Sequence, residues 1–186
     1  MAILLLGEHD NAALNDATAR TLSAALQIGS DVDILIAGEN CAAIADEAAK
    51  LSGVRKVLLC ENPLYAHMQA ENMTARLLPL MAEYDAFLAP ATANGKNIAP
   101  RLAARLDVQQ ISEITAVLAA DSFERPIYAG NALQKVRSGQ DKNVITVRTT
   151  AFTPAETGQS APVERLEAGE DTGLASFVSE ELSQSD

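Results

Sequence analysis

Two short loops hold most of the side chains here that could do chemistry. Gly7-Glu8-His9-Asp10-Asn11 follows the apolar run Ala2 to Leu6, and Pro90-Ala91-Thr92-Ala93-Asn94-Gly95-Lys96-Asn97 follows Asp85 to Ala89. If the runs are strands of an open α/β sheet, the loops lie where such sheets hold ligands, beyond the carboxyl ends of the strands. The first loop lacks the G-x-G-x-x-G of a dinucleotide fold. Glu8, His9 and Asp10 are metal-ligating types, but sequence neighbours seldom converge on one ion and no distal ligand set accompanies them. A solvated strand-to-helix loop or a partner contact fits them better. The second loop offers the Gly95-Lys96 pair of a phosphate loop. That motif also needs Gly five residues before Gly95 and Ser or Thr after Lys96, where Pro90 and Asn97 stand. An anion held on backbone amides at a helix start remains open. The simpler reading has Gly95 turning the chain and Asn97 capping the next helix.

Nothing else assembles a catalytic group. His67 reads as a surface residue near a helix start, and two histidines in unrelated loops build no Ser-His-Asp or Cys-His arrangement. No pair of carboxylates is singled out, and 4% aromatic residues leave little for a stacking platform. Cys41 and Cys60 sit in apolar surroundings away from metal spacing, as small hydrophobes of a reducing compartment. No site residue, catalytic, cofactor-binding or metal-ligating, is therefore assigned.

The elements that position these loops follow from periodicity. Ala2 to Leu6, Val32 to Ala37, Val54 to Cys60 and Asp85 to Ala89 read as strands. Helices alternate with them: one capped by Asn15 or Asp16 and reaching Ile28, one from about Cys41 to Leu51, one from Met68 to Glu83 and one from Asn97 to Leu106. Unbroken apolar strands joined through helices imply parallel pairing with both faces covered. The fold class expected is α/β: three-layer, doubly wound, a mostly parallel sheet with additional antiparallel strands in the C-terminal third. Those are Ile111 to Ala119, Phe123 to Ala129, Ala132 to Arg137 and Val144 to Thr149. Gly130-Asn131 reads as a hairpin turn with Gly130 at positive φ, and Pro126 suits an edge strand or a strand start. Arg125 and Tyr128 are candidates for a partner contact; Lys135, Arg137 and Lys142 read as solvated charges.

At 186 residues and 48% apolar, the chain supports one sizeable core. The net charge of −11 argues against a nucleic-acid partner. From Thr153 onward eight acidic residues face one basic, so the tail carries most of that charge. Thr153 to Pro162 has linker composition, and Leu174, Phe177, Val178 and Leu182 could form a short amphipathic piece. The expected division is an α/β domain over 1–152 and an acidic linker or tail over 153–186. No stretch reaches transmembrane length. Met1 runs directly into ILLLG without a basic or Arg-rich leader, so a bacterial cytoplasmic location is expected, or the mitochondrial matrix for a eukaryotic source.

Several separate runs resemble, in order and spacing, the α-subunit of electron transfer flavoproteins: ILLLGEHDN (Ile3 to Asn11) with Leu14-Asn15, GKNIAPRLAARLDVQQISEIT (Gly95 to Thr115), and the dense stretch Phe123 to Phe152. Glu113 departs from the family's usual Asp while keeping the charge. The resemblance covers residues 2–152. It implies the amino-terminal domain, which docks the β-subunit, with residues 153–186 leading toward an FAD-binding domain absent from this chain. It also implies FAD in the full-length protein but not here, and AMP in the partner β-subunit. Electrons would pass from acyl-CoA and related flavin-dependent dehydrogenases to a membrane oxidoreductase, as in fatty acid β-oxidation, with this chain a carrier subunit rather than an enzyme. The isolated domain is expected to expose apolar surface, relieved by the β-subunit or by self-association. The competing readings are a stand-alone adenine-nucleotide-binding domain with its site near Gly7 or Gly95, and a hydrolase or transferase using His9.

Overall fold

The computed structural model describes residues 1–181. Ten strands and four α-helices follow in order: β1 (Ala2–Leu6), α1 (Asp16–Ile28), β2 (Asp31–Gly38), α2 (Ala42–Ala48), β3 (Val54–Glu61), α3 (Ala70–Leu80), β4 (Ala86–Pro90), α4 (Ala93–Leu106), β5 (Gln110–Ile114), β6 (Ala116–Ala119), β7 (Ser122–Ile127), β8 (Ala132–Arg137), β9 (Asn143–Val147) and β10 (Val163–Arg165). Seven strands form one sheet in the order β10-β3-β2-β1-β4-β9-β5, all pairs parallel. The remaining three, β6-β7-β8, form a small antiparallel sheet.

Alternation along each strand builds two cores. Ile3, Leu5, Ile34 and Ile36 meet Leu22 of α1 and Ile44 of α2 on one face. Leu4, Leu6, Leu35 and Phe87 meet Met73 and Leu77 of α3 and Ile98 and Leu102 of α4 on the other. Both faces are thus covered, the condition a parallel sheet requires, and the expected three-layer, doubly wound fold is what forms. Asn15 caps α1, its side chain accepting from Ala17 N at 2.9 Å.

The C-terminal third differs from the expected pattern in three respects. First, β9 is not antiparallel. It is fully buried and lies parallel between β4 and β5, because Val144, Ile145 and Val147 need cover on two faces and the buried Thr146 hydroxyl finds its partner in Glu113 N. Second, the run Ile111 to Ala119 divides. Glu113 takes φ +54°, the register shifts there, and the chain leaves the large sheet as β5 and enters the small one as β6. Third, Pro126 lies in the central strand of the small sheet. It is tolerated because β6 ends its pairing at Glu124, leaving one side of β7 free beyond that point. Gly130 does adopt positive φ (+92°), with Tyr128 and Ala129 also in the left-handed region.

The polar stretch from Thr153 is not a free linker. It returns across the body through main-chain bonds: Ala155 N to Ala19 O, Ser52 N to Glu156 O, Ala161 N to Ala49 O and Val57 N to Pro162 O. It then adds β10 to the sheet beside β3. Composition pointed to a linker because apolar burial is slight here; hydrogen bonds to backbone hold the segment instead. Beyond it, Gly169 N donates to the Tyr65 hydroxyl and Thr172 N to Asn72 Oδ1. Leu174 and Val178 are exposed and in no helix; Leu182 lies outside the described residues. Removing residues 153–186 is expected to lower the melting temperature and to speed amide exchange at Val57 and Ser52, which lose their acceptors. Unchanged exchange at both amides would show that the segment is not held in solution.

The opposite edge is also covered. The Gln140 side chain donates to Gln109 O and accepts from Gln109 N, a pairing that imitates a neighbouring strand just ahead of β5.

Candidate functional site

Strand order reverses between β1 and β4, so the loops after these strands flank the switch point of the sheet. A cleft of about 650 Å³ opens there, lined by His9, Asp10, Asn11, Glu39, His67 and Asn94 among others. The sequence pointed to both loops, and the fold brings them together.

Their groups, however, bind one another. Glu8 is 8% exposed, and its carboxylate accepts from Thr92 Oγ1 and Asn94 Nδ2, each at 3.0 Å. Thr92, not Asn97, caps α4, its Oγ1 accepting from Gly95 N. The helix therefore starts four residues earlier than expected, and Gly95 lies inside its first turn. A carboxylate at a helix N-terminus is where the macrodipole favours negative charge. The place an anion would take on α4 is thus next to the protein's own Glu8.

His9 is equally committed. Asn11 N donates to Nδ1 at 3.1 Å, so Nδ1 carries no proton, and Nε2–H donates to Ala37 O at 3.0 Å. A ring with both nitrogens engaged offers no base and no ligand lone pair. Asn11 completes the tie, its Nδ2 donating to Ala66 O at 2.8 Å and its Oδ1 accepting from Glu39 N at 3.0 Å. Gly38 permits this approach, since a Cβ there would fall 2.4 Å from Asn11 Oδ1. Asp10 turns outward and accepts from Ala12 N and Ala13 N. The loops after β1, β2 and β3 are thereby laced into one unit.

Burial pushes the Glu8 carboxyl above its ordinary 4.5, offset in part by Thr92 and Asn94. Burial pulls the His9 ring below its ordinary 6.5, against the opposing pull of its bond to Ala37. For His9 the unfolded chain binds the proton more readily than the folded one. Its contribution is therefore intact above pH 6.5 and is lost as pH falls below that value. The unfolding free energy measured between pH 7 and pH 5 is expected to fall at up to about 1.4 kcal/mol per pH unit from this group. His9→Gln should flatten that dependence; the same slope in the variant would assign it elsewhere.

His67 is exposed, as expected, and stacks on Phe177 of the returning segment with ring centroids 3.4 Å apart. Phe177 carried no sequence signal for this, since its partner lies more than a hundred residues away. Lys96 does not enter the cleft but pairs with Glu113. Cys41 and Cys60 are buried, and burial pushes the Cys41 thiol up to about 11, which keeps it unreactive. Among the described residues no group of three His, Cys, Asp or Glu side chains is placed to hold a metal. No described helix is long and apolar enough to cross a membrane.

Exposed apolar side chains gather in two places, on the C-terminal segment at Leu174, Phe177 and Val178 and on the small sheet. Tyr128 is 80% exposed at the hairpin tip, Leu133 63% and Leu118 49%. The sheet is anchored through Phe123, which is fully buried in the first core beside Val117 and Val136.

Residues 3–171 match the model of the electron transfer flavoprotein domain. The chain belongs to the electron transfer flavoprotein domain family. It is 52% identical over its whole length to the electron transfer flavoprotein subunit alpha of Pseudomonas aeruginosa and 56% identical to that of Bradyrhizobium diazoefficiens. A probable mitochondrial subunit alpha from Caenorhabditis elegans is 36% identical over 98% of the chain. The chain spans about 60% of the length of the bacterial relatives. The family match crosses Thr153 and takes in β10, in keeping with a body that includes the returning segment.

The cleft does not fit the family's flavin. A dinucleotide pyrophosphate needs open backbone amides and positive charge. Here the Glu8 carboxylate binds the Thr92 and Asn94 side chains at the start of α4, and Asp10, Glu39 and Glu180 line the cleft with further carboxylates.

Proposed function

We propose that this chain is the amino-terminal docking body of an electron transfer flavoprotein α-subunit, whose FAD is held by polypeptide outside these residues. Its main partner is the β-subunit, itself the holder of AMP. The complete carrier takes electrons from acyl-CoA and related flavin-dependent dehydrogenases and gives them to a membrane oxidoreductase. The chain itself catalyses nothing in this reading. It works in the cytoplasm of a bacterium, or in the mitochondrial matrix if the source is eukaryotic. We also place the division between docking body and flavin domain after the strap, later than residue 152.

The observation that carries the reading is the small sheet. It spends one face anchoring itself through Phe123 and keeps Tyr128, Leu133 and Leu118 in solvent, the composition of an interface awaiting cover. The switch point supports it from the other side, since Glu8 sets a carboxylate beside the start of α4 and both His9 nitrogens are engaged. This weighs against the nucleotide-binding and hydrolase readings.

Co-expression with the β-subunit of the same source is the direct test. Stable co-purification with a colourless chain of these 186 residues is the expected result. A chain that stays apart from the β-subunit, or one that purifies with bound FAD, would refute the proposal. Tight one-to-one calorimetric binding of AMP or ATP would favour the nucleotide reading instead.

A further inference from the structure

The chain beyond β10 is held to the body in two unlike ways. Leu166 N donates to Leu59 O at 2.8 Å, and Gly169 N donates to the Tyr65 hydroxyl at 2.9 Å. Asn72 Oδ1 accepts from Thr172 N at 3.0 Å and from Thr172 Oγ1 at 2.7 Å, while its Nδ2 donates to Asp171 Oδ1 at 3.2 Å. Tyr65 and Asn72 are buried, and Leu166 packs on the second core. All of these bonds, and that packing, would have to break together for residues 166–172 to lift. This part is fixed.

Past Thr172 the attachment changes kind. Gly173 takes φ +64°, and no neighbouring heavy atom lies within 4 Å of where its Cβ would stand. The amides of Gly173 and Leu174 bond only back to Asp171 and Thr172 of the same segment. Among the described residues, no hydrogen bond joins the chain beyond Thr172 to the body. Contact is made instead by a ring. Phe177 stacks on His67 with centroids 3.4 Å apart and planes 4° from parallel, and both residues line the switch-point cleft. His67 is held in place from behind: Asn11 Nδ2 donates to Ala66 O, and Met68, at φ +49°, donates its N–H to Tyr65 O. Phe177 itself is 46% exposed, and Leu174 and Val178 stand in solvent on either side of it. An aromatic pair half in water favours contact over separation by only about three- to tenfold.

We propose that residues 173–178 are a releasable latch at the switch-point cleft, hinged at Gly173 and closed by the stacking of Phe177 on His67, while residues 166–172 stay fixed in both states. The place where open α/β sheets hold a ligand is thus used to hold a side chain of the same polypeptide. Closed, the latch completes one wall of the cleft with Phe177 and Glu180. Open, it clears that wall and frees Leu174, Phe177 and Val178. Opening also lets the chain beyond Thr172 reach farther, since residues 173–177 fully extended span up to about 17 Å. The latch goes beyond the docking reading and does not depend on it.

The chain contains no tryptophan, so Phe177→Trp places a single indole at the latch for acrylamide quenching. An accessible minor fraction of about 10–25% is expected beside a shielded major one, the populations that such a stack sustains. Adding His67→Ala is expected to raise the quenching about twofold. Gly173→Val should act in the same direction for a different reason: the site has room for the side chain, but φ +64° does not suit a β-branched residue. Amide exchange at Gly169 and Thr172 is expected to be slow and unchanged by either substitution. A second reading keeps the natural ring: Phe177→Leu should move the His67 ring-proton resonances downfield, through loss of the stacked ring's current. Quenching that neither substitution changes, or His67 resonances that Phe177→Leu leaves alone, would separate the two rings and overturn the proposal. A single shielded indole population would make the segment a permanent strap and refute release. Faster exchange at Gly169 and Thr172 in either variant would show the whole segment moving as one piece and refute the hinge. None of these readouts involves the β-subunit, so they stand or fall apart from docking.

Discussion

Arg55→Met is expected to lower the unfolding free energy by about 3–5 kcal/mol. Asp33 is 0% exposed in the middle of the sheet. It accepts two bonds from Arg55, at 2.8 and 2.6 Å, and one from the Tyr84 hydroxyl at 2.5 Å. Desolvation and the Asp33 carboxylate both push the Tyr84 phenol far above its ordinary range, so it remains a donor at any physiological pH. Removing Arg55 leaves a buried carboxylate with Tyr84 as its sole remaining side-chain donor. Removing Asp33 is different, because the Arg55 side chain is 46% exposed and can turn into water. Asp33→Leu should therefore cost only about 1–2 kcal/mol, chiefly the unpaired Tyr84 hydroxyl. Asp33→Leu with Arg55→Met should recover much of the loss. Urea denaturation of the set decides the matter: equal costs for the two single variants would refute the asymmetry.

Gly95→Ala is expected to cost about 3 kcal/mol or more and to leave little folded protein. A Cβ there would fall 1.9 Å from Pro90 O, and main chain cannot yield as a flexible side chain can. The natural control is Gly139→Ala, where no heavy atom lies within 4 Å and a change within about 1 kcal/mol is expected. Thermal melts of both variants suffice. A stable Gly95→Ala protein would mean that α4 sits farther from β4 than described. The residue that in sequence resembled part of a phosphate loop is thus a packing glycine, letting the first turn of α4 rest on the end of β4.

The central architecture was legible because it rests on local signals. Continuous apolar runs of strand length, helices with a shared apolar face, and the Asn15 cap each need only a few neighbouring residues to be read. What escaped depends on partners far away in sequence. The parallel placement of β9 between β4 and β5 could not be read from Val144 to Thr149, since a short apolar strand looks the same in either direction. The break at Glu113 is a backbone event at a residue with no glycine to announce it. The returning segment was missed because hydrogen bonds to main chain leave no mark in side-chain composition. The site was legible in part: the two loops were singled out, but whether Glu8 faces solvent or fills the start of α4 is decided by Thr92 and Asn94, more than eighty residues on.

The segment from Thr153 to Arg165 has a consequence for how this protein can change over evolutionary time. Much of its grip on the body runs from peptide group to peptide group, with side-chain contacts from Gln159, Ala161, Glu164 and Arg165 added to it. Substitutions there should accumulate more freely than in β3, against which it lies, and drift in length should be resisted more strongly than drift in sequence. Acidic residues can gather on such a segment without penalty to the core, which leaves its surface free to vary.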